Sequence, residues 1–190
     1  VEIGSGHSTR FLTRAVRDGG LAAKLTSIDP NPRATLDGLA IERISQRVQD
    51  ALVAALAPGD ILFVDSSHVV SAGSDVDHIL RNIVPDLPTG AIVHFHDIFL
   101  PDPYPSEWDE RRYNEQTSVG AMLASGQYDI LFASRYAATR MSDEIAATHL
   151  ARLPLKSVHL NKSPMVVGNL NTLTPAMAQR WGIDLPIVVD

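Results

Sequence analysis

Two short stretches of the sequence, VDSSH and HFHD, bring aspartate and histidine close together. Each stretch lies at the end of an apolar run that predicts a buried β-strand, so its polar residues lie at a strand end. A histidine can accept a proton from a reacting group, and a divalent cation held by such side chains can lower the pKa of a hydroxyl. The candidates for this chemistry are Asp65, His68, His96 and Asp97.

A third stretch, VEIGSGHST, predicts a strand, a tight turn and the start of a helix. Gly4 permits the turn, and Gly6 allows the backbone to approach a ligand closely. The free N–H groups of the helix start, with Ser8 or Thr9 as its cap, suit a carboxylate or a phosphate. Glu2 repels a pyrophosphate but attracts an ammonium group. S-adenosylmethionine (SAM) carries a carboxylate, an ammonium group and a ribose, so it fits this turn.

Two further acids follow the next two predicted strands. Asp29 ends TSID and lies where an acid accepts hydrogen bonds from ribose hydroxyls. Asp50 follows the third strand, within reach of an adenine amino group. Thr9 stands where the dinucleotide fingerprint requires a third Gly or an Ala, which weakens the NAD interpretation. The alternative is that Glu2 and Asp50 are solvated strand ends and that Asp29 caps a turn with Pro30.

Alternating strand and helix patterns predict an α/β fold with a parallel sheet. The predicted strands are VEI, KLTSID, RISQRVQ, DILFVD, GAIVHFHDIF, YDILFAS and SPMVVGNL, the last one antiparallel. The predicted helices are Ser8 to Asp18, PRATLDGLAIE, DALVAALA, SDVDHILRNIVPDL, TSVGAMLASG and SDEIAATHLARL. Ligands of such sheets bind outside the carboxyl ends of the strands, where the candidate residues lie.

Composition excludes several classes of protein. The chain has 190 residues and 45% hydrophobic residues, which predicts one ordinary globular domain. A net charge of −6 argues against binding to nucleic acid or to an anionic membrane. The absence of cysteine excludes disulfides, thiolate zinc sites and a cysteine nucleophile, and it fits a cytoplasmic location.

A long segment, LPDPYPSEWDERRYNEQ, follows the fifth predicted strand and is too long for a plain connection. Its aromatic residues Tyr104, Trp108 and Tyr113 suit a lid that grips a sugar or an aromatic ring. Alternatively, they pin the loop to the body of the protein or form the contact of a homodimer.

The sequence resembles the class I SAM-dependent methyltransferases, and the methyltransferase 24 type in particular. The resemblance rests on VEIGSGHST, SIDPNPR, GDILFVDSSHV, GSDVDHIL, IVHFHDIFLPDPYPSEW and YNEQ, which cover most of the first 116 residues in family order. It implies a Rossmann-like, seven-stranded sheet of order 3-2-1-4-5-7-6 with an antiparallel strand seven. It also implies SAM binding by Glu2, Gly4, Gly6, Asp29 and Asp50, while Ser8 replaces a glycine that many members carry. The expected unit is a single methyltransferase domain over residues 1–190, whose N-terminal part precedes Val1.

In this fold the fourth and fifth strands are neighbours, so the resemblance implies that Asp65, His68, His96 and Asp97 converge near the transferred methyl group. Asp65 then also contacts the cofactor. Catechol-type O-methyltransferases hold magnesium in a similar place, which makes Asp65, His96 and Asp97 the candidate metal ligands. Because a histidine replaces an oxygen ligand, manganese, iron or zinc suits this set better than magnesium. His68 is a candidate general base.

The leading hypothesis is therefore a methyltransferase that acts on a hydroxyl of a small-molecule acceptor, with or without a metal. An NAD-type oxidoreductase, a non-catalytic SAM- or nucleoside-binding module and a metal hydrolase built on HFHD are the alternatives. Thr9 argues against the oxidoreductase, the Asp–His residues against a pure binding module, and the glycine turn against the hydrolase.

Overall fold

The structure is a computed structural model that describes residues 1–147 and 165–168 of the chain. Seven strands form one sheet in the order β3-β2-β1-β4-β5-β7-β6, as the resemblance implied. The strands are β1 (Glu2–Ile3), β2 (Thr26–Ile28), β3 (Glu42–Ile44), β4 (Ile61–Val64), β5 (Ile92–Phe95), β6 (Asp129–Ala133) and β7 (Met165–Gly168). The first five strands are parallel, and β7 is antiparallel to both β5 and β6, which confirms the predicted last strand.

The register of the parallel strands places their carboxyl ends side by side. Ile3 pairs with Ile28 on one side and with Val64 on the other, and Val64 pairs with Phe95. These four residues are buried in the core. The residues that follow them therefore emerge at one edge of the sheet. These residues are Gly4, Asp29, Asp65 and His96.

Five α-helices occur among the described residues: α1 (His7–Asp18), α2 (Asp75–His78), α3 (Glu115–Ala124), α4 (Ser134–Arg140) and α5 (Ser142–Ala146). A π-helical turn (Ile79–Ile83) and a 3-10 turn (Val84–Asp86) extend α2 to the end of the predicted helix. Another 3-10 helix (Ser106–Arg111) lies in the long loop after β5. No helix in residues 1–147 or 165–168 has the length and apolarity needed to span a membrane.

Two predicted helices are wrong, since the segments PRATLDGLAIE and DALVAALA are irregular. The first contains Gly38 with a left-handed backbone (φ +77°), which opposes a continuous helix. The second is too short to repay helix nucleation without a packed face, and its Leu52 is 90% exposed. Strand β3 is also shorter than predicted and ends at Ile44.

Helix α4 was not predicted, whereas α5 begins at Ser142 as expected. The predicted end of the α5 segment, beyond residue 147, lies outside the described residues. So do the ends of the SPMVVGNL segment on either side of β7.

Candidate active site

The glycine turn after β1 is tied to the end of β2 by Asp29. One oxygen of the Asp29 carboxylate accepts the Ser5 N–H at 2.7 Å and the Ser5 hydroxyl at 2.9 Å. Its other oxygen accepts the N–H of Asn31 at 2.7 Å, and the N–H of Gly4 donates to the Ile28 carbonyl. Asp29 therefore stabilises the turn, and it also faces the space above the turn.

Gly4 is required by packing against β4. Its backbone has φ +80°, and a Cβ there would lie 1.8 Å from the backbone oxygen of Asp65. At Gly6 a Cβ would meet the Cβ of Arg33 at 3.6 Å and the backbone nitrogen of Ala34 at 3.9 Å, which are ordinary contact distances. The first glycine therefore lets the ends of β1 and β4 come together, which brings the turn next to Asp65.

Glu2 lies beneath the turn and is fully buried. Its carboxylate accepts a hydrogen bond from the Thr9 hydroxyl at 2.7 Å, and that hydroxyl accepts the N–H of Gly6. Burial raises the pKa of Glu2 despite this hydrogen bond and another from Ser8. Glu2 thus supports the glycine turn from the protein interior. The N-cap of α1 is Gly6 rather than Ser8 or Thr9, and Thr9, in the first turn, accepts the Gly6 N–H.

A cleft of about 410 Å³ opens between the glycine turn, the Asp29 loop and the segment after β3. Its walls include Gly4, Asp29 and Asp65 of the residues predicted to bind a cofactor. Glu2, Gly6, Ser8 and Asp50 do not line it; Asp50 is exposed and pairs with Arg47 at 2.8 Å. Val48 and Gln49 form the wall where Asp50 was expected.

Arg33 is a wall residue of this cleft that the sequence analysis did not select. Its N–H donates to the Ser5 carbonyl at 3.2 Å, so its backbone is fixed to the glycine turn. Its positive charge also helps to lower the pKa of Asp65. Among the ion pairs of the described residues none includes Arg33, whereas Arg47 is paired with Asp50. The cleft therefore offers a cation to an anionic group of a ligand.

Next to the cleft, the four predicted Asp and His side chains do converge. His68 Nε2 lies 3.2 Å from Asp65 Oδ1 and 3.7 Å from Asp97 Oδ2. His96 Nδ1 lies 3.0 Å from Asp97 Oδ1 and 3.6 Å from Asp65 Oδ1. His68 is 1% exposed, whereas His96 and Asp65 are 22% and 25% exposed, so these two residues form the open rim of the group.

The backbone at this group is strained. His68 and Asp97 have φ values of +60° and +56°, in the left-handed region that residues other than glycine rarely adopt. Such conformations cost about 1–3 kcal/mol each and persist where the surrounding structure fixes them, most often at functional sites. Here the strain turns two polar side chains, both buried, toward each other across the ends of β4 and β5.

The geometry also fits a cation. One donor atom each from Asp65, His68 and Asp97 lies within 4.8 Å of the others. Asp97 Oδ1 and His96 Nδ1 are buried and form no hydrogen bond among the described residues, despite their proximity. The three-residue set differs from the predicted ligands, because His68 takes the place expected for His96.

The charges around His68 set its protonation. Burial lowers its pKa, but hydrogen bonds to Asp65 and Glu115, with the negative charges of Glu115 and Asp97, outweigh burial and raise the pKa to about 9. Burial raises the pKa of Asp65, yet the hydrogen bond from His68 and the positive charges of His96, His68 and Arg33 bring it below its ordinary value. This raised pKa favours the protonated form of His68, whereas the general base predicted at this position has to be neutral.

His94 lies on the same face of β5 as His96, with the two rings 6.0 Å apart. Its ring stacks on Phe63 at 4.2 Å, and burial lowers its pKa to about 4. His94 is therefore a neutral packing residue, as expected from its place inside the sheet.

The aromatic residues of the long loop pack on one another. Trp108 is 6% exposed, and its ring lies 5.2 Å from Phe99, 6.3 Å from Tyr104 and 5.6 Å from Tyr113. Tyr113 in turn contacts the ring of His68 at 4.7 Å. These contacts show that the aromatic residues pin the loop to the body of the protein beside His68.

Comparison with known proteins decides the family. A family model described as a methyltransferase domain matches residues 1–98, which is more than half of the chain and includes the glycine turn, the cleft and both Asp–His stretches. The chain belongs to this methyltransferase family. Its sheet order agrees, and the resemblance to class I SAM-dependent methyltransferases is confirmed. Membership of this family implies that SAM is the methyl donor.

A second family model, an exonuclease I SH3-like domain, matches residues 128–189. In the described part of that range, β6 pairs with β7, and β7 pairs with β5 of the methyltransferase sheet. These strands therefore complete the sheet that begins with β1.

Several solved structures resemble the methyltransferase at low identity. A candidate methyltransferase of Thermoplasma acidophilum is 9% identical, with a TM-score of 0.44 over 90% of this chain and 67% of its own. OxaC, solved with sinefungin and meleagrin, is 10% identical, with a TM-score of 0.49 over 88% of this chain and 42% of its own. YjhP from E. coli is 15% identical, with a TM-score of 0.44 over 87% of this chain and 84% of its own. No curated protein sequence matches the chain.

Proposed function

We propose that the protein transfers the methyl group of SAM to a hydroxyl oxygen of a small-molecule acceptor, with a divalent cation at Asp65, His68 and Asp97. The observation that carries this proposal is the position of the buried Asp–His group directly beside the cleft, with Asp65 belonging to both. SAM supplies an electrophilic methyl group when it is bound. The protein must hold it, align the acceptor and remove a proton.

The cleft is suited to SAM in size and in charge. A volume of about 410 Å³ falls within the range typical of small-molecule sites. Asp29 faces it and can accept hydrogen bonds from ribose hydroxyls. Arg33, which lies on the glycine-turn side, can pair with the carboxylate of the methionine part. Glu2 acts indirectly, since it is buried beneath the turn.

Asp65, His68 and Asp97 would hold the cation, and a mixed nitrogen and oxygen ligand set favours manganese, iron or zinc over magnesium. A cation held by these residues would supply a Lewis acid that lowers the pKa of an acceptor hydroxyl. His96, at the exposed rim of the group, is the proposed proton acceptor, because His68 is fully enclosed by carboxylates.

We further propose that residues 1–190 form a single domain. The antiparallel β7 lies between β5 and β6, so a boundary near residue 128 would divide one continuous sheet.

The test is a screen of hydroxyl-bearing small molecules with SAM that carries a radiolabelled methyl group. Each acceptor is assayed with EDTA, and then with manganese restored. The proposal expects label transfer that EDTA abolishes and manganese restores. Transfer that EDTA leaves unchanged would remove the cation from the proposal. Binding of NAD in place of S-adenosylhomocysteine, measured by calorimetry, would remove the methyltransferase assignment itself.

A further inference from the structure

Glu115 is a buried acid at the start of α3 that the sequence analysis did not select. It is 0% exposed, and its Oε1 atom has no hydrogen-bond partner among the described residues. Burial of a carboxylate is costly unless a partner compensates for it. An acid in the first turn of a helix commonly lies at the surface, where it complements the helix dipole. Glu115 lies instead beneath the Asp–His group, so its position calls for a specific role.

The partner of Glu115 is His68. Glu115 Oε2 lies 2.8 Å from His68 Nδ1, on the side of the ring opposite to Asp65 and Asp97. Burial raises the pKa of Glu115, but an ionised Glu115 carboxylate can only accept hydrogen bonds, and the contact then requires a proton on Nδ1. The other ring nitrogen, Nε2, is the one that faces Asp65 and Asp97. In metal sites, an outer carboxylate of this kind fixes both the tautomer and the direction of a histidine ligand.

The residues on either side of Glu115 hold the same histidine and its loop. The N–H groups of Asn114 and Glu115 both donate to the His68 carbonyl, at 3.1 and 3.2 Å. The Tyr113 ring covers the His68 ring, and the Gln116 side chain accepts the N–H of Phe99 at 3.0 Å. The start of α3 therefore connects the loop after β4 to the loop after β5. These contacts also account for the left-handed backbone at His68.

We propose that Glu115 is a positioning residue, which keeps the proton of His68 on Nδ1 and directs Nε2 toward a divalent cation shared with Asp65 and Asp97. The inference rests on the cation site of the proposed function. It assigns no contact with substrate to Glu115, which acts only through His68.

Two substitutions separate position from charge. Glu115→Gln keeps a side-chain oxygen that can accept the Nδ1 proton, whereas Glu115→Leu has a similar size and no acceptor. Because Glu115 does not line the cleft, both variants should bind S-adenosylhomocysteine as the wild type does, which shows that the fold is intact. If Glu115→Leu fails to fold, the wild type and Glu115→Gln still decide the question through the two measurements below.

The first measurement is the tautomer of His68 in metal-free protein, from two-bond ¹H–¹⁵N NMR correlations at a pH about one unit above its pKa of about 9. We expect the proton on Nδ1 in the wild type and in Glu115→Gln, and a shift of the proton toward Nε2 in Glu115→Leu. A wild-type protein with its proton on Nε2 would overturn the proposal. So would a Glu115→Leu variant with the wild-type pattern.

The second measurement is the affinity for Mn²⁺, titrated by electron paramagnetic resonance. Loss of an outer hydrogen-bond partner typically weakens metal binding about 10- to 100-fold, which is the loss expected for Glu115→Leu. Glu115→Gln should stay close to the wild type, and an equal loss in both variants would contradict a positioning role. If the wild type binds no Mn²⁺, the cation site of the proposed function fails, and the NMR result alone then decides whether Glu115 sets the tautomer.

Discussion

His68 and Asp97 face each other across the ends of β4 and β5, with Nε2 and Oδ2 3.7 Å apart, and both have a left-handed backbone. This arrangement places a nearly fully buried histidine between carboxylates at the edge of the sheet where the cofactor cleft opens. A proton or a divalent cation can balance the negative charge there.

Asp97→Asn should abolish cation binding while leaving the fold and the cofactor cleft intact. Asparagine tolerates a left-handed backbone as aspartate does, so the strained turn is preserved and only the charge is lost. We expect Mn²⁺ affinity to fall by more than the roughly 100-fold upper range for loss of an outer partner. Calorimetry should show unchanged affinity for S-adenosylhomocysteine. Loss of both affinities together would mean that Asp97 has a structural role instead.

The metal-free protein should lose stability as the pH rises toward 9. The pKa of His68 is raised from 6.5 to about 9 in the folded state, so its contribution is fully present below about 6.5 and disappears as the pH passes about 9. The contribution is on the order of 3 kcal/mol, since one pKa unit corresponds to about 1.4 kcal/mol.

The measurement is the free energy of unfolding by urea, at a series of pH values in EDTA, for the wild type and for His68→Gln. The difference between the two proteins should shrink across this window. A difference that stays constant would show that folding does not raise the pKa of His68.

The protonation of His94 should make the folded protein less stable as the pH falls, which is the opposite of the effect of His68. Burial lowers its pKa to about 4, so the unfolded chain binds a proton before the folded protein does as the pH falls below about 6.5. His94→Phe keeps a ring to stack on Phe63 and has nothing to protonate. We expect the variant to resist acid unfolding better than the wild type between about pH 6 and pH 4. Identical acid-unfolding curves would contradict the buried, neutral state of His94.

Gly4 and Gly73 form a matched pair for testing the turn. Both have a left-handed backbone, at φ +80° and φ +76°, but a Cβ at Gly73 meets nothing within 4 Å. Gly73→Ala should therefore lower the free energy of unfolding only by the cost of holding an alanine in a left-handed backbone, about 1–2 kcal/mol. Gly4→Ala adds a clash with the Asp65 backbone, so we expect a much larger loss or failure to fold, measured by chemical denaturation. Equal losses would show that the contact between the turn and β4 is not needed.

Arg33→Ala should reveal which part of the cofactor lies on the glycine-turn side of the cleft. If Arg33 pairs with the methionine carboxylate, the variant should bind S-adenosylhomocysteine about 10-fold or more weakly, because charge-assisted hydrogen bonds contribute about 1.5–3 kcal/mol. Methylthioadenosine lacks that carboxylate and should bind both proteins alike. Calorimetric titration of each ligand into each protein measures the effect. An equal loss for the two ligands would place Arg33 elsewhere.

The sequence predicts well which polar residues lie at the carboxyl ends of the strands. It predicts poorly which buried residues support them. Asp65, His96 and Asp97 could be identified because strand ends are visible as apolar runs followed by polar residues. Glu115 could not, because an acid at the start of a helix is commonplace and nothing local shows that it is buried; its only signal was its place in YNEQ, directly after the loop aromatics. Asp50 was expected directly after strand β3, but the strand ends at Ile44, earlier than predicted, and Asp50 does not line the cleft.

The two missing helices have a different origin. Intrinsic preference in DALVAALA favours a helix, but whether a short helix forms depends on packing that a sequence pattern does not reveal. For Glu2, sequence reasoning could not place the side chain, since a carboxylate before the turn can face either the ligand or the interior. The structure places it in the interior, bonded to Thr9.

The most direct test of the account is a calorimetric titration of S-adenosylhomocysteine into the wild type, Asp29→Ala and Asp50→Ala. Asp29 lines the cleft, while Asp50 is exposed beside it and serves as the matched acid control. The account predicts binding to the wild type, the same affinity for Asp50→Ala, and loss of binding for an Asp29→Ala protein that remains folded. A wild type that binds no S-adenosylhomocysteine, or an Asp29→Ala variant that binds it undiminished, would contradict the central claim.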